Sequence, residues 1–112
     1  MSYAPDELQG VMGMMPAFAT PNAGDLFATQ TVDIENLQEG VDRIIKDGIY
    51  VIATTGSFGQ CWNLFWDEFE TIIRATIEVV NKRVPLFLGV TSTNPREAAR
   101  KMQFVQIGRA HV

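Results

Sequence analysis

The 112-residue chain is poor in several kinds of residue, and each shortage excludes something. It has one cysteine, Cys61, so an internal disulfide is impossible and a reducing compartment is the default. It has one histidine, His111, which is expected to be a frayed terminal residue rather than a fixed general base. No pair of cysteines or histidines has metal spacing, so no metal site is expected. Lys and Arg number 9 against 13 Asp and Glu, the net charge is −4, and no basic run occurs. Nucleic acid and anionic membrane surfaces are therefore poor candidates as partners. No apolar run approaches the ~20 residues that cross a bilayer, and the opening MSYAPDELQG has no secretory pattern. A cytoplasmic protein is expected. Nucleotide fingerprints are missing too: neither G-x-G-x-x-G nor G-x-x-x-x-G-K-S/T is present.

What is present looks globular, with 46% apolar and 20% charged residues. Residues 1–9 are polar and expected to be loose. The run from Gly10 to Met15 reads as a strand stopped by Pro16, with Met12, Met14 and Met15 as core. A turn cluster from Pro21 to Asp25 opens a surface loop reaching Gln30. Asp33 suits the cap of a helix whose stripe is Ile34, Leu37, Val41, Ile44 and Ile45, and Gly48 suits its end. A strand over 49–53 follows. The next helix spans about 66–81, with Phe69, Ile72, Ile73, Ile77 and Val80 inward. Residues 84–90 read as a third strand with Pro85 near its start, where a missing N–H is tolerated. Asn94, Pro95 and Glu97 then read as cap, first helical residue and reciprocal capping contact of a third helix.

Strand and helix alternate three times with short links, and the second and third strands are apolar on both faces. That pattern predicts an α/β fold with parallel strands and right-handed crossovers. After Phe104 an Ile-Gly pair reads as the approach to a fourth strand, yet three strands leave an open edge, and a complete (β/α)8 barrel needs roughly 250 residues. Residues 10–112 are therefore expected to be the N-terminal part of a larger domain.

The stretch TTGSFGQ lies between the second strand and the second helix. N–H groups of a glycine-rich turn at a strand's C-terminal end can hold a carboxylate or phosphate oxygen. Gly56 and Gly59 are expected to take conformations that a Cβ resists, Ser57 adds a hydroxyl donor, and Phe58 adds an apolar wall. On spacing alone, the turn serves equally as a tight connection with no ligand.

The segment from Gly56 to Cys61, followed by Leu64, Trp66, Asp67 and Glu68, resembles the G-T-F-G-E-C-A-T-L-T-W-E-E stretch of the hydratase-aldolases acting on hydroxybenzylidenepyruvate and carboxybenzalpyruvate. These are members of the dihydrodipicolinate synthase / N-acetylneuraminate lyase superfamily. Met14-Met15-Pro16, Thr20-Pro21, Asp25 and Thr31-Val32-Asp33 resemble its first strand and loop. Arg83-Val84-Pro85, Gly89, Thr91, Asn94, Arg96 and Glu97 resemble its third strand and helix start. The similarity spans 11 to about 107.

This resemblance implies the first three βα units of a (β/α)8 TIM barrel and class I aldolase chemistry without a cofactor. A lysine on a sixth strand forms a Schiff base with pyruvate, a tyrosine on a fifth relays protons, and the parent is a homotetramer. The pyruvate carboxylate falls to Gly56, Ser57, Phe58 and Gly59, chiefly the Ser57 hydroxyl and the Phe58 N–H. Gln60 and Phe65 depart from the pattern, as does Ala17, and Phe65 deprives the second helix of a hydroxyl cap. Strands four to eight are missing. Lys46, Lys82 and Lys101 fall on helices or helix ends, so no catalytic residue is expected in this chain.

Several residues read as structural. Cys61 is expected as an inert thiol, buried or half-buried, Trp62 and Trp66 as packing between helix and sheet, and Asp67, Glu68 and Glu70 as carboxylates favouring a helix N-terminus. Three functional classes follow. The first is part of a pyruvate-releasing lyase, with a dihydrodipicolinate synthase-like condensing enzyme as its sister reading. The second is a small non-catalytic anion-binding module. The third is an assembly piece pairing through its open edge.

Overall fold

The computed structural model describes residues 4–110, with side chains to Gln106. His111 lies outside the described residues. The elements run β1 (Met12–Met14), α1 (Ile34–Lys46), β2 (Val51–Thr54), α2 (Trp66–Val80), β3 (Leu86–Leu88) and α3 (Pro95–Ala110). Short 3-10 turns occupy Pro5–Glu7 and Cys61–Asn63. The sheet order is β1-β2-β3, and both pairings are parallel. Gly13 pairs with Ile52 and Ile52 with Leu86, so these three share the face turned to the helices.

The helices cover that face most completely at Ile52 and leave Gly13 and Leu86 half-buried. Leu37 and Val41 of α1 and Ile72, Ala75 and Val80 of α2 close over Met15 and Ile52. Phe69, Ile73 and Ile77 of α2 form a second cluster with Trp66, Leu88, Phe104 and Val105. The expected α2 stripe is buried in full. The α1 stripe is buried at Leu37 and Val41, but Ile34, in the first turn, stays exposed.

The helix ends follow their local chemistry. Asp33 accepts from Asn36 N–H at 3.0 Å and caps α1. Gly48, at φ +105°, takes the left-handed turn after it. Phe65 gives α2 no side-chain cap, and Glu68 Oε1 compensates by accepting the Phe65 N–H at 2.7 Å. Glu68 Oε2 also accepts from the Thr31 hydroxyl, tying the first loop to α2. Asn81, at φ 46°, closes α2. Arg83 then donates to Val79 O at 2.6 Å and to Asp42 on α1 at 2.8 Å. Asn94 Oδ1 caps α3 by accepting the Arg96 N–H at 2.9 Å.

Four expectations are corrected. Glu97 does not make the reciprocal capping contact, because the Asn94 N–H donates to Ser92 Oγ instead. Helix α3 continues to Ala110, so the Ile107-Gly108 pair does not lead toward a strand. Met12 and Met14 are not core: they lie 43% and 56% exposed on the sheet face that no helix covers. Phe87 lies on that same face at 44% exposure, so β3 is half-buried through Leu86 and Leu88 on one side and exposed on the other.

Candidate functional site

The C-terminal ends of the parallel strands are where backbone groups leave the sheet and a ligand can approach. Here β2 ends at Thr54 and the chain turns through Thr55 and Gly56–Gly59. A cavity of about 160 Å³ opens at this point, lined by Met14, Met15, Ala53, Thr54, Gly56–Gly59, Phe87 and Gly89. All four expected site residues line it.

The turn spends few of its donors on itself. Gln60 N–H goes to Ser57 O at 3.1 Å and Cys61 N–H to Gly56 O at 3.3 Å. The N–H groups of Gly56, Ser57, Phe58 and Gly59 find no backbone acceptor among the described residues. Ser57 and Phe58 are exposed, Gly56 is half-buried and Gly59 is buried. Available N–H dipoles beside a serine hydroxyl, with Phe58, Met14 and Phe87 as apolar walls, form an environment for a small carboxylate carrying an apolar group.

The unusual backbone falls on other residues than expected. Neither Gly56 nor Gly59 has a positive φ; Thr55 (58°) and Gln60 (59°) do. Gly59 is needed for space, since a Cβ there would lie 2.8 Å from Thr55 N. Gly56 has open space on its Cβ side. Gly89, which lines the cavity, and Thr55, which lies behind the turn and donates to Gly89 O, were missed. A glycine ending the third strand beside a Thr-Thr pair was the available signal, but only the fold places Gly89 against Thr55.

A second cavity of about 470 Å³ is larger but lies away from the strand ends. It is lined by Asp33, Asp67 and Glu68 among neutral polar groups, and these carboxylates repel an anion. Among the described residues no three His, Cys, Asp or Glu side chains gather as a metal site. Cys61 is buried beneath the turn. Trp66 packs against Phe69 and Phe104 at 5.5 and 5.8 Å, whereas Trp62 is 57% exposed and packs less than expected.

The lysines sit away from the cavity. Lys46 pairs with Asp42 at 2.9 Å at the end of α1, and Lys82 follows α2. Lys101 is buried on α3, with Nζ 3.0 Å from Thr91 O and 5.1 Å from the Phe69 ring centroid. No lysine lines the turn.

The dihydrodipicolinate synthetase family matches residues 11–107. The chain belongs to that family. The three βα units accordingly form part of a TIM barrel. A trans-O-hydroxybenzylidenepyruvate hydratase-aldolase of Pseudomonas aeruginosa is 36% identical over 104 residues, covering 92% of this chain and 31% of that protein. A 4-hydroxy-tetrahydrodipicolinate synthase of Methanoculleus marisnigri is 38% identical over 88 residues, covering 79% of this chain and 30% of that one. The solved structure of PhdJ bound to a substrate intermediate superposes with a TM-score of 0.87 at 29% identity, covering 92% of this chain and 32% of PhdJ. The chain thus spans about a third of the length of the relatives it matches. Among its described residues, no helix is long and apolar enough to cross a membrane.

Proposed function

We propose that this chain carries the pyruvate-carboxylate subsite of a pyruvate-dependent lyase of the hydratase-aldolase type. The observation that carries this reading is the turn itself. Four N–H groups without backbone acceptors among the described residues and the Ser57 hydroxyl cluster at the end of β2, beside apolar walls from Phe58, Met14 and Phe87. In this reading the Ser57 hydroxyl and the Phe58 N–H hold the two carboxylate oxygens. Gly59 keeps the backbone close, and Phe58 faces an aromatic aldehyde portion. Anchoring the carboxylate orients the neighbouring carbonyl for imine formation, and a protonated imine is the electron sink that C–C cleavage requires. The imine lysine and the relay tyrosine are assigned to later strands of the whole protein, so this chain alone carries out no aldol step. The whole protein is inferred to be a cytoplasmic homotetramer.

A pyruvate titration of the 112-residue chain, followed through its backbone amide resonances, tests the reading. Shifts concentrated at Phe58 and Gly59 are expected. Ser57→Ala is expected to weaken binding by about tenfold or more, from ~1.5–3 kcal/mol for a hydrogen bond to a charged group. Shifts confined to other regions would refute the assignment.

The synthase reading is favoured by the comparable identity to a 4-hydroxy-tetrahydrodipicolinate synthase. The complete enzyme separates the two. Cleavage of hydroxybenzylidenepyruvate supports the lyase, and activity only in condensing pyruvate with an aspartate semialdehyde overturns it.

A further inference from the structure

Thr55 is a β-branched residue held in the left-handed region at φ 58°, and it is 1% exposed. That conformation is costly for a residue with two heavy atoms on Cβ, and it persists only where the surroundings over-determine it. Here they do. Thr55 Oγ1 lies 2.8 Å from Gly89 O and 2.7 Å from Thr54 O, so its single proton serves the carbonyls that end β2 and follow β3. Gly89 N–H returns a bond to Thr54 O at 2.9 Å. The backbone of Thr55 is enclosed on both sides: a Cβ on Gly89 would come within 2.7 Å of its carbonyl, and a Cβ on Gly59 within 2.8 Å of its nitrogen.

We infer that Thr55 is a positioning residue that latches the end of β2 to the end of β3 and thereby sets the aim of the Gly56–Gly59 N–H groups. It touches no ligand in this account. Its left-handed turn redirects the chain one residue before the donors begin, and its hydroxyl fixes that turn to a neighbouring strand. A turn anchored only at β2 would let those dipoles rotate, and misaligned donors hold an anion poorly. The ligand half of this inference rests on the carboxylate reading; the latch itself does not.

The test is amide hydrogen exchange and pyruvate titration on the 112-residue chain with Thr55→Val, Thr55→Gly and Thr55→Ser. Thr55→Gly suits the left-handed backbone and is the variant least prone to misfold. Loss of the hydroxyl in the Val and Gly variants is expected to speed exchange at Gly89 and Gln60 by about fivefold to tenfold, the size of one lost hydrogen bond. Exchange at Ile73, in the core of α2, is expected to stay unchanged. Pyruvate affinity is expected to fall by a similar factor, and Thr55→Ser to restore both. Unchanged exchange at Gly89 in Thr55→Gly overturns the latch. Equal acceleration at Gly89 and Ile73 reduces Thr55 to a general stabiliser and overturns the positioning role. Faster exchange with unchanged pyruvate affinity does the same. If the wild-type chain shows no pyruvate shifts, the carboxylate reading fails while the exchange data still decide the latch.

Discussion

Gly89→Ala is the substitution whose effect follows most directly from the structure. A Cβ there would lie 2.7 Å from the carbonyl carbon and oxygen of Thr55 and 2.8 Å from Gly56 N. These are backbone atoms, so no side-chain rotation can make room. Ordinary contact begins at 3.4 Å, so the ends of β2 and β3 must separate by about 0.7 Å. Overpacking of this kind costs about 1–3 kcal/mol. The lost freedom of the unfolded chain returns about 0.4–1 kcal/mol. A net loss of about 1–2 kcal/mol remains, which in a domain near this size lowers the melting temperature by roughly 5–15 °C. Gly56→Ala is the control, because its Cβ meets nothing within 4 Å and its φ is not left-handed. It is expected to melt at or slightly above the wild type. Circular dichroism melts of the three proteins provide the comparison. If Gly89→Ala melts with the wild type, the close approach of Thr55 to β3 is wrong, and the latch argument falls with it.

Ile73→Ala empties a fully buried position between α2 and α3 and is expected to cost about 2–5 kcal/mol in urea unfolding, against about 0.5–1.5 kcal/mol for Ile73→Val. Glu68→Ala removes the carboxylate that accepts the Phe65 N–H and releases Thr31, for an expected loss of about 1 kcal/mol; Phe65→Ser in the same background should recover part of it by supplying the missing cap. The Lys46 hydrogen bond, then that of Arg83, holds the Asp42 carboxyl below its ordinary 3.8. Its contribution is therefore present above 3.8 and lost as the pH falls through the lower folded value, so Asp42→Asn should flatten the acid limb of a stability–pH profile measured below pH 4.

Much of the fold was legible because local signals agreed with one another. The five apolar positions of α2 fall at offsets of 0, 3, 4, 8 and 11 from Phe69, one helical stripe, and all reach the core; Asp33 and Asn94 are strong caps, and Gly48 takes the conformation only glycine adopts cheaply. The strands were less legible. An apolar run reads as buried on both faces, but burial depends on how many layers the fold supplies, and here one face of Met12, Met14 and Phe87 has no layer above it. The candidate turn was found through its glycines, yet its left-handed residue is Thr55. Side-chain type gives only a preference for φ, and a tertiary bond to Gly89 can override it. The Ile107-Gly108 pair read as the approach to a strand, yet helix α3 runs through it, because a single glycine costs a helix only about 1 kcal/mol.

The bare front of the sheet has a consequence for the turn. Met14 and Phe87 belong both to that front and to the wall of the small cavity. Whatever roofs the sheet must therefore also roof the Gly56–Gly59 donors. Driving water from that space would lower the local dielectric and strengthen each N–H dipole toward an anion. Completing the fold and sharpening the site are then a single event: the hydrophobic surface that closes the architecture is also the one that tunes its grip.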